Sequence, residues 1–268
     1  MIDAKEIILT DAEINRCIDF STQSAATQQA VEFGQHTTKE RSTKEISRDT
    51  LIGKIAETAF SKLMKENYGI DVPLDFNCYP RGRWDDQDAV INGWRIDVKG
   101  TRQGGHRLLI EWNKLSFRQK DDNLSHVFVM FSVGWDRSSD TPTGHVCYEG
   151  AVSLERLNNA TSTTKSFRRG ELLPGTRMML QADNYAVHFN DLHKDLDKFT
   201  QYLLENTPPH SLTEDYRNPY SSRTTAQIRR NRAEIITPCN ACDEVQTEKS
   251  KRFSFFAALR SFLARFFR

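Results

Sequence analysis

The stretch Asp88–Lys99 reads DAVINGWRIDVK, and its central dipeptide decides the fold around it. Asn92-Gly93 is the strongest short-range signal for a two-residue β-hairpin turn, because both residues tolerate the positive φ such a turn requires. With that loop, Ile91 pairs with Trp94, Val90 with Arg95, Ala89 with Ile96 and Asp88 with Asp97. One face then carries Ala89, Ile91, Trp94, Ile96 and Val98; the other carries Asp88, Val90, Arg95, Asp97 and Lys99. Like charges directly opposite each other on paired strands are destabilising. Two facing aspartates ask for a reason. A divalent cation between them supplies one, with Lys99 beside it on the same face.

Upstream, the pattern predicts a helix over about Thr50–Asn67, with Asp49 or Thr50 as N-cap and Gly69 just past its end. Ile52, Ile55, Ala56, Ala59, Phe60, Leu63 and Met64 form its apolar stripe. Glu57 lies at the margin of that stripe, one turn after Gly53, where it can reach over the edge of a packed sheet. Residues 34–48 are polar and read as an exposed loop, and helical patterns precede them within 3–33. Downstream, Arg107–Trp112, His126–Val133, Val146–Leu154 and Arg177–Ala182 read as strands. His126–Val133 is nearly all apolar, as expected of a central strand covered on both faces. Tyr185–Phe189 leads into a helix over about Asp191–Glu205, with Asp191 as N-cap. This order predicts an α/β or α+β layer fold, a mixed central sheet flanked by helices.

Cutting a phosphodiester requires an activated water, shielding of charge on the reacting phosphate, and help for the leaving oxygen. Hard oxygen ligands holding Mg²⁺ do much of this. Asp88 and Asp97 supply two such ligands, the Val98 carbonyl a third, and Glu57 an additional metal or water ligand. Lys99 is placed to orient the water or take its proton, and to offset charge on the phosphate.

Gly53-x-x-x-Glu57, then Asp88, then Asp97-x-Lys99 after a hairpin, resembles the PD-(D/E)XK nuclease superfamily over roughly residues 40–205. The resemblance implies a restriction-endonuclease-like fold and a Mg²⁺-dependent endonuclease acting on DNA, with Mn²⁺ as a substitute ion. Asp88 matches the first motif acid, Asp97 the second, Lys99 the lysine and Glu57 the helical glutamate. Gln103 is similar to a glutamine that some branches place after the lysine. No proline precedes Asp88, where Gln87 stands. By analogy the setting is restriction, anti-phage defence or nucleic-acid processing by a mobile element. Two other readings stay open: a hairpin whose polar face is merely solvated, and a nucleic-acid- or partner-binding protein that keeps the fold without the chemistry.

Arg102, His106 and Arg107, after a glycine-containing turn, and Arg81 and Arg83, beside Trp84, are candidate nucleic-acid contacts. The chain of 268 residues has a formal charge of +1, so charge alone names no polyanion partner. Its distribution is uneven: residues 214–268 carry 11 Lys+Arg against 6 Asp+Glu, and the rest 26 against 30. Five scattered cysteines do not form a disulfide framework, which suits a reducing, cytoplasmic compartment. Cys239 and Cys242 lack a second pair to complete a zinc site. No stretch of about 18 apolar residues exists to span a membrane. The N-terminal residues lack an apolar signal core.

Residues 1–206 are therefore expected to form the nuclease-like domain, and a homodimer would suit double-strand cutting. Residues 207–250, rich in Ser, Thr, Asn, Arg and Pro, read as a disordered linker. Residues 251–268 (KRFSFFAALRSFLARFFR) differ again. As a helix they gather Phe255, Phe256, Leu259, Phe262, Leu263, Phe266 and Phe267 on one arc, with Lys251, Arg260, Arg265 and Arg268 mainly on or bordering the other. Such a helix suits an anionic membrane surface, here the inner membrane, or a partner's groove. Docking on its own domain, or serving as the working end of a membrane-surface adaptor, are the alternatives.

Overall fold

The computed structural model describes residues 5–27, 42–79, 87–111, 125–158, 164–176 and 178–208. The linker from 209 onward, the tail helix, Cys239, Cys242, Trp84, Arg81 and Arg83 lie outside them. The elements run β1 (Glu6–Ile8), α1 (Asp11–Thr27), α2 (Thr43–Tyr68), β2 (Ala89–Ile91), β3 (Trp94–Arg102), β4 (Arg107–Glu111), β5 (Val127–Asp136), β6 (Thr141–Ser153), α3 (Leu154–Asn158), β7 (Thr164–Phe167), β8 (Asn184–His188) and α4 (Leu196–Glu205).

The hairpin forms in the expected register, Ala89 with Ile96, Val90 with Arg95 and Ile91 with Trp94. Asn92 (φ 48°) and Gly93 (φ 81°) both take the left-handed conformation the turn demands. β3 continues past its partner and pairs in parallel with β5 from Ile96–Val127 to Arg102–Val133. β5 pairs antiparallel with β6, and β6 with β1. The result is a mixed five-stranded sheet in the order β1-β6-β5-β3-β2. β5 is buried from Val127 to Gly134, which explains its unbroken apolar run.

One face of this sheet packs against α1, α2 and α4. Ile96, Val98, Val129, Phe131 and Val133 meet Ile52, Ile55, Ala59, Phe60, Phe199 and Leu203 there. The other face is covered in part by a second sheet in the order β4-β8-β7, with Phe128 and Met130 against Leu108, Ile110 and Val187. That second sheet was not anticipated as a separate layer. The architecture is mixed α/β, a mixed sheet flanked by helices. Among the described residues no helix is long and apolar enough to cross a membrane.

Several expectations need correction. The helix before the hairpin begins at Thr43, not about Thr50, and Ser42 caps it instead of Asp49 or Thr50. The Ser42 hydroxyl accepts the Glu45 N–H at 3.2 Å while the Glu45 carboxylate accepts the Ser42 N–H at 2.8 Å. This reciprocal box draws 42–48 out of the expected loop and into the first turns. Gly69 does end the helix, in the left-handed conformation at φ 67°. The late helix starts at Leu196 under an Asp195 cap, because Phe189–Asp191 instead closes a short 3₁₀ turn. Around 177–182 the described residues form only an isolated bridge between Leu172 and Met179, in place of a strand.

Candidate active site

Strand alternation on β3 separates its two tasks. Ile96 and Val98 point into the core shared with α2. Gly100 has the same phase, and a Cβ there would lie 2.6 Å from the Ile52 carbonyl oxygen. Only glycine lets α2 come this close. Asp97 and Lys99 fall on the opposite face, where they form an ion pair with each other. Their side chains are 15% and 24% exposed, enough for solvent or substrate to reach them.

Asp88 stands where the β2–β3 ladder stops. Its Oδ2 accepts the Val98 N–H at 2.7 Å. The N–H and C=O of one strand residue lie on the same side of the strand. The Val98 carbonyl therefore falls on the edge that Asp88 occupies. Desolvation drives the Asp88 carboxyl well above the ordinary carboxylate range. The nearby Asp97 and Glu57 carboxylates push it further, while Lys99 and the Val98 N–H oppose the rise. These causes place Asp97, Glu57 and Lys99 within electrostatic reach of Asp88. The four come from the edge of β2, from β3 and from α2.

Glu57 is held by Lys54, one turn earlier on α2, in a direct ion pair. Lys54 is 3% exposed. Its ammonium also donates to the Asp75 carbonyl at 2.8 Å and sits over the Phe20 and Phe76 rings at 4.7 and 5.5 Å. Lys54 is not among the site residues expected from the sequence. The i,i+3 spacing to Glu57 was a readable signal; the contacts with Asp75 and the two rings were not.

The remaining candidates disperse. Gln103 shares the strand phase of Asp97 and Lys99, but it is exposed beyond the end of β3, with its N–H bound to the Val133 carbonyl at 2.8 Å. Arg102 has the opposite phase: its guanidinium lies 4.4 Å over the Trp135 ring and 3.5 Å from Asp140. His106 is exposed, with its ring nearly parallel to that of His188 at 6.5 Å. Arg107 opens β4 opposite His188. These two mark the start of the second sheet, not the acidic cluster. A Cβ at Gly53 would meet nothing within 4 Å among the described residues; the close backbone approach of α2 is at Gly100. His126 is a packing residue: its Nδ1 accepts the Arg95 N–H at 2.9 Å, and burial together with the Arg95 charge pushes it down to about 4.

For a metal, donor chemistry and arrangement give different answers. Carboxylates close enough to raise Asp88 suit a hard dication. As they stand, no three His, Cys, Asp or Glu side chains among the described residues are grouped to hold an ion. Asp97 and Glu57 each face a lysine, so ligation would ask these carboxylates to turn from their ion pairs. A scan of protein-family models, a search of curated proteins and a search of solved structures each return no match to this chain.

Proposed function

We propose that this chain is a metal-dependent deoxyribonuclease of the PD-(D/E)XK type, an endonuclease that hydrolyses phosphodiester bonds in DNA. The observation that carries this reading is the convergence of Asp88, Asp97, Glu57 and Lys99 at the open end of a short hairpin. Asp88 and Asp97, with the Val98 carbonyl, would hold Mg²⁺ or Mn²⁺, and Glu57 would assist. Bound there, the ion supplies charge neutralisation at the phosphate and lowers the pKa of a water. Lys99, anchored on Asp97, positions the attacking water and offsets charge developing on the phosphate oxygens. Because the Asp88 carboxyl is raised by its surroundings, a cation bound beside it would favour its ionised form. Restriction, anti-phage defence or mobile-element processing is the setting that analogy suggests.

A second reading has its own support. Asp97 and Glu57 are each satisfied by a lysine, and no ligand group is preformed among the described residues. A non-catalytic nucleic-acid- or partner-binding protein on the same scaffold has this appearance. The deciding experiment incubates the chain with plasmid, linear and single-stranded DNA in Mg²⁺, Mn²⁺ or EDTA, beside Asp97→Ala and Lys99→Ala. Cleavage that needs metal and vanishes in both variants supports the nuclease. Metal-independent DNA binding without cleavage supports the alternative.

A further inference from the structure

A lysine buried between two helices and a coil needs partners to offset its desolvation. Lys54 has an unusual set. Its Nζ lies 4.7 Å from the Phe20 ring of α1 and 5.5 Å from the Phe76 ring, which themselves pack edge to face at 5.7 Å. Its Nζ then divides between Glu57 on its own helix and the Asp75 carbonyl. Asp75 and Phe76 belong to the coil that follows α2. Ser61 fastens the same chain two turns along α2, donating to the Val72 carbonyl at 2.6 Å. One ammonium thus grips both the helical acid of the site and the coil that follows α2.

We infer that Lys54 is a positioning residue, which fixes the Glu57 carboxylate against Asp88 and ties it to the 72–76 segment. The inference rests on the nuclease reading above and deepens it. The Lys54 side chain touches neither substrate nor reacting atoms in this role; it acts through Glu57. Without it, Glu57 keeps its backbone position but loses the contact that orients its carboxylate. A merely structural lysine would act alike whether or not Glu57 bears a charge, and that difference is measurable.

The test is a double-mutant cycle of Lys54→Met with Glu57→Gln in the full chain. Methionine keeps an unbranched apolar stem and removes the charge. Outer partners of ligands typically contribute about 10–100-fold to affinity or activity. Lys54→Met is therefore expected to lower kcat by about 10-fold or more with KM little changed, and to weaken Mn²⁺ binding in calorimetry by a similar factor. In the Glu57→Gln background the same change should alter either quantity less than about twofold, the mark of coupled sites. Equal losses in both backgrounds, or no loss in a folded Lys54→Met chain, overturn the inference while leaving the nuclease reading standing. A wild-type chain that neither cleaves DNA nor binds Mn²⁺ overturns both. If thermal unfolding shows that Lys54→Met does not fold, Lys54→Gln, which can still donate to Asp75, takes its place in the cycle with the same criteria.

Discussion

The Asp88 carboxylate accepts the Val98 main-chain N–H at 2.7 Å, one step past the last paired rung of the hairpin. This contact turns a strand end into a site. It holds an acid near Asp97 and Glu57 although both repel it, because the N–H it meets is fixed by β3. Hydrogen bonding to a charged acceptor recovers part of the desolvation, yet the carboxyl remains raised.

Asp88→Asn tests that balance. Asparagine can still accept the Val98 N–H and carries no charge. In metal-free buffer the folded wild type binds a proton at Asp88 that the unfolded chain, with an Asp pKa of about 3.9, has released. Its folding stability therefore falls as pH rises above that value. Asp88→Asn should lack this fall and be the more stable protein at pH 8, with the two converging toward pH 4. Urea unfolding at both pH values checks it; an unchanged gap refutes it. Cleavage by the variant should drop at least about 100-fold, the scale of one preorganised charge-stabilising group.

Gly100→Ala should separate α2 from β3. The new methyl would meet the Ile52 carbonyl at 2.6 Å, a backbone atom that cannot rotate away. A destabilisation of about 1–3 kcal/mol is expected from overpacking. Because α2 carries Glu57, activity should fall beyond what the population of folded chain explains. Equilibrium denaturation and kcat on the same samples measure both.

Asn92 has two jobs that substitution can divide. Its side-chain amide reaches the Leu203 and Leu204 carbonyls at 3.1 Å each and that of Asn206 at 3.2 Å, capping the end of α4. Its φ of 48° is also unfavourable for most residues. Asn92→Gly keeps the turn and loses the cap, at about 1 kcal/mol. Asn92→Ala loses both, and should cost roughly 1 kcal/mol more for the left-handed backbone. Equal destabilisation in thermal melts would show that only the cap matters.

The basic, aromatic pattern of 251–268 predicts that the full chain floats with vesicles containing anionic lipid and that a 1–250 truncation does not. DNA cleavage by the truncated chain should be unchanged. Equal flotation of the two would remove the membrane reading.

The sequence by itself determined the features written in neighbouring residues. Asn92-Gly93 specified its turn because left-handed φ is a local property. Alternation from Asp88 to Lys99 then set the register and sorted the faces, since side chains switch sides at every residue. Gly69 marked the end of α2 for the same local reason, and the apolar run around Phe128–Val133 announced a strand buried on both sides. The Ser42–Glu45 box was also readable, and missing it shortened α2 by seven residues, from Thr43 to Thr50. Tertiary structure alone decided the rest. β1 has three residues and exists only because β6 offers an edge. The second sheet joins β4 to β8 across a long chain separation that no short pattern encodes. The same holds for the site: Asp88 leaves the ladder to take the Val98 N–H, Glu57 reaches it from another layer, and Lys54 finds Asp75 21 residues away. Contacts of this kind depend on which surfaces the core brings together, so they appear only once α2 has settled on β3 at Gly100.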